Sequence, residues 1–430
     1  MKQHSILLFS AMMLGLGACQ KGEIPNLNTP VADQIIANGS KEQIDNLAVA
    51  MESGMRFTLN TYFDAIGLQG REIYRFSGSE PRYTQELMGG TGLDNNTFYT
   101  TNPWASRYRV VRQANTLIDA VNASTRLSAN EKKGYLGYAK TIMAYQLLIT
   151  LNMQYTNGIR TDVKDPNNLG PIKGYPESLA DIAALLDEGK TELTGSEITF
   201  PVSIVADVTP LKLLRFNRAL AARVAVYRQQ WAAALTALNE SFFDLNGPLY
   251  NGYVHIFSAN SGDILNPVFL PQNNAGEQRL AHPSYAAQIA AGDDRLAKAS
   301  LRSAAASLDG LVSNRDVWIH TSNTAPIYII RNEELVLIYA EAKIQLNQIP
   351  DAIVALNVIR TKHNLPVYAG VITPAALITE MLNQRRYSLF AEGHRWIDMR
   401  RYNRLNQLPN DRPQDKVWDK FPIPLPETNQ

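Results

Sequence analysis

Cysteine is almost absent from the chain: there is one, Cys19, in 430 residues. A disulfide framework needs pairs of cysteines and a Cys-rich zinc site needs several, so both are excluded and stability has to come from packing. An excess of charge of one sign is lacking too. With 41 Lys and Arg against 40 Asp and Glu, the net charge of +1 offers no basic field to hold nucleic acid through counterion release. The apolar run Ser5 to Leu16 falls short of the roughly 20 residues that a spanning helix needs. Histidine is sparse, six in all, with no His-Glu-x-x-His or other close ligand pair. Asp162, Asp165, Asn167 and Asn168 share a loop but do not fit an EF-hand, and Pro166 interrupts them, so a solvated turn is expected there. There is no Gly-x-Ser-x-Gly elbow, and Gly89-Gly-Thr-Gly92 lacks the lysine of a phosphate loop. Glu333-Glu334 and Asp293-Asp294 are adjacent in sequence and point in different directions, unlike a general acid/base pair. No metal, cofactor or catalytic residue is therefore expected.

What is present begins with an export signal. Met1-Lys2-Gln3-His4 and the following apolar run read as a signal peptide over residues 1–18. Leu16-Gly17-Ala18-Cys19 resembles the lipobox at which bacterial lipoproteins are cleaved and acylated, so Cys19 becomes the lipidated first residue. Acyl chains contribute about 0.8 kcal/mol per buried methylene and anchor a protein to a membrane surface without a spanning helix. Residues 19–30, polar with two prolines, read as a tether, and folded structure is expected from about Val31.

The rest, 45% hydrophobic over the whole chain, carries apolar residues at helical spacing and predicts a mainly α protein. Helices are expected at Lys41–Phe63, Pro103–Asn122, Asn130–Asn152, Ser178–Leu193, Pro210–Tyr227, Gln230–Phe243, Asn332–Leu346, Pro350–Lys362 and Pro374–Glu392, the last capped by Thr373. Several form hairpins with small residues at close-contact positions, resembling tetratricopeptide units. Long insertions at Ala65–Asn102, Asn157–Pro176 and Asp244–Ile330 interrupt them, with short strands expected at Val254–Phe257 and Ile327–Ile330.

The last third is more specific. Arg331-Asn-Glu-Glu-Leu-Val-Leu-Ile-Tyr-Ala-Glu-Ala342 followed by Leu356-Asn-Val-Ile-Arg360, then Arg385-Arg-Tyr-Ser-Leu-Phe-Ala-Glu-Gly-His-Arg-Trp-Ile-Asp-Met-Arg400, and the ending Phe421-Pro-Ile-Pro-Leu-Pro, resemble signatures of the SusD/RagB family of outer-membrane lipoproteins. Trp104-(x)3-Tyr108, Ala114-Asn115, Tyr135-Leu-Gly-Tyr-Ala139 and Asp293-Asp-Arg295 match as well. The resemblance implies a tetratricopeptide-like scaffold with a loop-rich irregular subdomain carrying a few short strands. It divides the mature chain into a helical and loop region (31–243), an irregular insertion (244–330) and a C-terminal signature region (331–430). It also implies a lipid-anchored outer-membrane protein facing the exterior of a Bacteroidetes-type cell, which captures a nutrient and passes it to a SusC-like TonB-dependent transporter without catalysis. A glycan or oligosaccharide is the favoured ligand and a peptide the alternative; a surface glycoside hydrolase and a tetratricopeptide adaptor are the remaining readings. Lys140-Thr-Ile-Met-Ala, where members commonly have Arg-Ala, and Tyr155-Thr-Asn-Gly-Ile-Arg160, without the usual Gly-x-x-Pro, mark a divergent subgroup.

Aromatics in polar loops are candidates for stacking on sugar rings, so Tyr74, Tyr83, Tyr99 and Trp318 are the expected platform, with Arg75, Asn95, Asn96 and His320 to serve the hydroxyls. Trp104, Tyr108, Trp231 and Trp396 sit at helical spacing and are expected in the core. Arg331, Glu341, Arg360, Arg385, Arg386, Glu392, Gly393, Arg395, Asp398 and Arg400 form the structural signature. Helical spacing predicts ion pairs of Glu392 with Arg395 and of Asp398 with Arg395 or Arg401, and an arginine partner for Glu341.

Overall fold

The computed structural model describes residues 32–428. The signal peptide, Cys19 and the tether lie outside the described residues. The chain opens with α1 (Ala32–Asn38) and α2 (Lys41–Gly54). Helix α2 starts on a capping box in which Ser40 Oγ accepts from the Gln43 amide (3.3 Å) and Gln43 Oε1 accepts from the Ser40 amide (2.8 Å). The single helix expected to Phe63 is broken after Gly54, with Thr58 at φ +55°, before α3 (Leu59–Gln69). Buried Arg107 supplies the reason: its guanidinium donates to the carbonyls of Met55 (2.8 Å) and Phe57, which the break releases.

Strand β1 (Ile73–Phe76) leads to the hairpin of α4 (Phe98–Ala123) and α5 (Ala129–Gln154), and α5 is again capped by a box, Ser128 with Glu131. The short pair β2 (Ile159–Arg160) and β3 (Ile172–Lys173) precedes α6 (Tyr175–Leu193). Then come α7 (Pro210–Tyr227) and α8 (Trp231–Asn239). Proline at the first position of α7, behind the Thr209 cap, places its start where the sequence predicts it. These stacked antiparallel helices form the tetratricopeptide-like scaffold. Trp104 and Trp396 are buried, and Tyr108 and Trp231 pack partly buried against the same core.

Close approach is built into the α5–α6 contact by two glycines. A Cβ on Gly137 would lie 2.6 Å from Leu193 Cγ and 2.9 Å from the Gly189 carbonyl oxygen. Gly137→Val is therefore expected to destabilise the fold by about 1–3 kcal/mol. In urea unfolding the midpoint should fall with the m-value unchanged, whereas Gly92→Val, whose added Cβ would meet nothing within 4 Å, should leave it in place. Equal midpoints for the two variants would remove the close-contact account.

The segment after α8 contains β4 (Gly252–His255), β5 (Gln278–Ala281), α9 (Pro283–Gln288), β6 (Ala299–Leu308), β7 (Leu311–Val317) and β8 (Ile327–Arg331). Four strands make an antiparallel sheet in the order β1-β5-β7-β6, and β4 pairs antiparallel with β8. The β6–β7 hairpin is not expected from the sequence, since a run of Ala and Ser has low strand propensity. Its turn does carry a signal: Asp309 (φ +50°) and Gly310 (φ +80°) both adopt the left-handed conformation that a two-residue hairpin requires.

The chain closes with α10 (Asn332–Gln345), α11 (Ile349–Lys362), α12 (Pro374–Ser388), α13 (Arg395–Arg401) and the short α14 (Leu425–Thr428). Thr373 caps α12 as expected, its hydroxyl accepting from the Ala376 amide (3.3 Å). Helix α12 ends at Ser388 rather than Glu392. Ala391 (φ +57°) and Gly393 (φ +82°) turn the chain there, and the freed carbonyls of Tyr387 and Ser388 accept from Lys298 and Arg331.

Candidate functional site

Pairing of β4 with β8 sets Tyr250, just ahead of β4, beside Tyr328 on β8. Within β8, Ile327 and Ile329 point inward and Tyr328 stands on the opposite face. The two rings lie 6.3 Å apart at 42°, and the Tyr328 hydroxyl donates to the Tyr250 carbonyl (3.1 Å). Both flank a cleft of about 350 Å³, also lined by Phe63 of α3, Trp318 and His320 beyond β7, the turn Asp294–Lys298, and Glu392. Tyr250 is 53% exposed, a large aromatic face open to solvent. Apolar walls with a few fixed polar groups, in a volume of this size, are the usual form of a small-ligand site.

One guanidinium organises the cleft. Arg331, at the end of β8, is buried and lies 5.6 Å from the Tyr250 ring centre and 5.2 Å from that of Tyr328, so both rings rest on it. Its Nε and Nη2 donate to Glu333 Oε2 (3.0 and 2.8 Å), Nη1 donates to Glu392, and Nη2 also donates to the Ser388 carbonyl. Burial works against its charge, but Glu392 and Glu333 outweigh that and hold its pKa above the usual arginine value. Burial likewise tends to raise Glu333, and Arg331 with His363 overrides it, keeping the carboxyl well below the ordinary range. His363 continues the network, its Nε2 2.8 Å from Glu333 Oε1 and its Nδ1 2.8 Å from Asp294 Oδ1 at the rim. Lys298 has its pKa lowered by burial and donates to the carbonyls of Tyr387 (3.1 Å) and Ser388. His320 is pushed down to about 4 by burial and by Arg279, so it is a neutral imidazole at pH 7.

The structure brings Trp318 and His320 into this cleft and separates the other expected ligand residues from it. Tyr74, Arg75, Tyr83 and Tyr99 are buried, a correction to their expected place on exposed loops. Tyr74 and Arg75 belong to β1, where Arg75 pairs with Asp64 (3.3 Å) and Glu277 (2.5 Å) and stacks 5.1 Å from the Tyr83 ring centre. The Tyr99 hydroxyl donates to Glu86 and accepts from the Asp94 amide (2.7 Å). Asn95 and Asn96 form the turn before α4, the Asn95 carbonyl receiving the Leu425 amide (2.9 Å) and the Asn96 amide bonding Asp94 Oδ1 (2.7 Å). Asp162 and Asp165 accept from the amides of Lys164 (3.3 Å) and Asn167 (2.9 Å), which are ordinary turn contacts.

The signature residues hold the scaffold together. Glu341 takes Arg401 (2.7 Å), Arg385 takes Asp398 (2.6 Å), and Arg360 takes Glu380 (2.5 Å). Arg386 donates to Gln288 (2.6 Å) and Ser284 (2.8 Å), and Arg400 donates to the carbonyls of Asn152 (2.9 Å) and Asp419 (2.8 Å). The expected Glu392–Arg395 pair is corrected: Glu392 bonds Arg331, while Arg395 donates to the Gly70 carbonyl (3.2 Å). Asp398 chooses Arg385 and Arg401 (2.8 Å), not Arg395. Gly393 turns Glu392 toward the cleft, and a Cβ there would come within 2.9 Å of Ile66 Cδ1.

Residues 308–422 match the SusD family. A SusD-like protein of Formosa agariphila is 33% identical over 132 residues, covering 26% of this chain and 26% of that protein. The chain therefore matches about a quarter of that relative's length. Over nearly its whole length it shares the fold of a SusD superfamily protein from Bacteroides vulgatus, with TM-score 0.68 at 15% identity, covering 91% of this chain and 97% of the other. It is similarly close to the surface glycan-binding protein A from Bacteroides thetaiotaomicron, with TM-score 0.68 at 12% identity, covering 92% and 98%. Among the described residues, no helix is long and apolar enough to cross a membrane.

Proposed function

We propose, for a chain whose residues 308–422 belong to the SusD family and whose described fold is that of the SusD superfamily, a non-catalytic nutrient-binding role with a glycan as the ligand. The observation that carries it is the tyrosine pair seated on Arg331 at the mouth of a cleft with Trp318 in its wall. Sugar rings present C–H faces to aromatic planes and hydroxyls to the polar groups around them, and this cleft supplies both. The solved relative named as a surface glycan-binding protein supports the same ligand class. A binding rather than hydrolytic role is supported by the carboxylates that line the cleft: one oxygen of Glu392 is held by Arg331 and one of Asp294 by His363, so both belong to the ion-pair network that fixes the cleft floor.

In this reading the protein is held at the outer membrane by lipid on Cys19, faces outward, and hands its ligand to a SusC-like TonB-dependent transporter. Affinity at the isolated site is modest, because the transporter adds contacts when the ligand is transferred. The test is calorimetry on protein beginning at Gln20, titrated with polysaccharides, oligosaccharides and digested peptides. Glycan binding weakened about tenfold by Trp318→Ala, the cost of losing one stacking wall, is the expected outcome. Binding of peptides alone would replace the glycan by the peptide-capturing alternative, and turnover of any polysaccharide would end the non-catalytic reading.

A further inference from the structure

We propose that the cleft selects uncharged saccharides and discriminates against chains bearing uronate or sulfate groups; this rests on the glycan-binding reading above. Among the described residues, both guanidiniums beside the cleft are matched by carboxylates, and the one ammonium has its donors taken by main-chain carbonyls. Arg295 is bound by Asp293 through Nε (2.9 Å) and Nη2 (2.7 Å), and Arg331 is bound by Glu333 and Glu392. Lys298 has its ammonium turned to two main-chain carbonyls. Against these three cations stand four carboxylates, those of Asp293, Asp294, Glu333 and Glu392. If His363, whose two nitrogens both face carboxylates, carries two protons, the two sides only become equal. Behind His320 the charges are also matched, since Arg279 and Arg75 face Asp64 and Glu277.

The distribution matters more than the balance. The positive groups lie deep, with Arg331 2% exposed, while the Asp294 side chain at the rim is 50% exposed. An incoming anion meets a carboxylate first, and beyond it finds guanidiniums already held by carboxylates and an ammonium, that of Lys298, turned to main-chain carbonyls. The tyrosine faces add to this, because an aromatic ring presents its negative side to a ligand stacked on it. A hydroxyl fares differently. Asp294 Oδ2 and Glu392 Oε1 have no donor among the described residues, and each can accept a charge-assisted hydrogen bond from a neutral sugar.

The experiment uses chemically matched pairs: xylo-oligosaccharides with and without glucuronate branches, and galactans with and without sulfate, titrated by calorimetry at low ionic strength. Whichever backbone binds, its neutral form is expected to bind at least about tenfold more tightly, the scale of one carboxylate repulsion across several ångströms of partly screened medium. Salt near 1 M should shrink the gap, because it screens beyond about 3 Å. Asp294→Asn, a change on a half-exposed side chain that spares the fold, should bring the two forms within about threefold. Equal or tighter binding of the anionic form overturns the selectivity while leaving glycan binding standing. Binding of peptides alone, or of no saccharide, defeats the glycan reading itself and this inference with it.

Discussion

Arg223→Met is expected to destabilise the protein by about 3–5 kcal/mol at pH 7, the cost of stranding a buried charge without its partner. Arg223 of α7 grips Glu334 of α10 in a two-pronged bond, Nε to Oε1 at 2.7 Å and Nη2 to Oε2 at 2.6 Å, and the same Nη2 holds the Ile329 carbonyl of β8 (2.7 Å). The pair thus ties the helical scaffold to the strand that carries Tyr328. Burial would raise the Glu334 carboxyl, but Arg223, helped by His394, holds it at about 2. Its folded pKa is below the unfolded value of 4.5, so the stabilisation is complete above that pH and is lost as pH falls toward 2. In Arg223→Met the stranded carboxyl protonates more readily, so the variant and the parent should converge in stability as the solution is acidified. Adding Glu334→Leu to the variant should recover much of the loss, since an apolar pair of similar volume needs no compensation. Urea midpoints between pH 4 and pH 8 are the measurement, and a loss below about 1 kcal/mol at pH 7 would show that the pair is not the fastening described.

The helical half of this architecture is legible in the sequence because its boundaries are set locally. Thr209-Pro210 and Thr373-Pro374 combine a capping hydroxyl with a proline that needs no donor, and both helices begin there. Of the helix ends that the sequence misplaces, among them the start of α4 at Phe98 and the end of α8 at Asn239, two have a visible non-local cause. The break after Gly54 depends on Arg107, more than fifty residues away in sequence, and the early end of α12 depends on Arg331 and Lys298 claiming its last carbonyls.

Ligand residues are harder to read than helices because loop-like composition does not report burial. Tyr74 and Tyr99 sit among Gly, Ser, Asn and Thr in sequence, yet one lies in a sheet strand and the other is pinned to Glu86 in the core. Of the residues expected from sequence, Trp318 and His320 do border the cleft. The Tyr250–Tyr328 pair is not legible, since it exists only through the pairing of β4 with β8. Tyr328 still leaves a trace: an aromatic on the outward phase of Ile327-Tyr-Ile-Ile is a hydrophobe without a core to enter. Arg331 and Glu392 serve the scaffold as their sequence context implies, but their guanidinium and carboxylate also form the floor of the site.

Removing the tyrosine platform should therefore have the largest effect on binding. Tyr250→Ala and Tyr328→Ala are each expected to weaken glycan affinity about thirtyfold, or about 2 kcal/mol, the range of a central aromatic contact. The fold should be largely untouched by the first change, because Tyr250 is mostly exposed. The double variant should lose less than the product of the two. Tyr328 positions Tyr250 through its hydroxyl, and both rings share Arg331, so deleting Tyr328 already loosens the partner that the second change removes. Tyr328→Phe separates the two roles. It keeps the stacking face and the cation–π contact while losing one hydrogen bond, so its cost should stay near the roughly 0.5–1.5 kcal/mol of a neutral bond, about twofold to thirteenfold in affinity. Calorimetry of the parent and the four variants with the same oligosaccharide, alongside thermal unfolding of each, decides the matter. Full affinity in the double variant, with its melting temperature unchanged, would place the ligand elsewhere on the molecule.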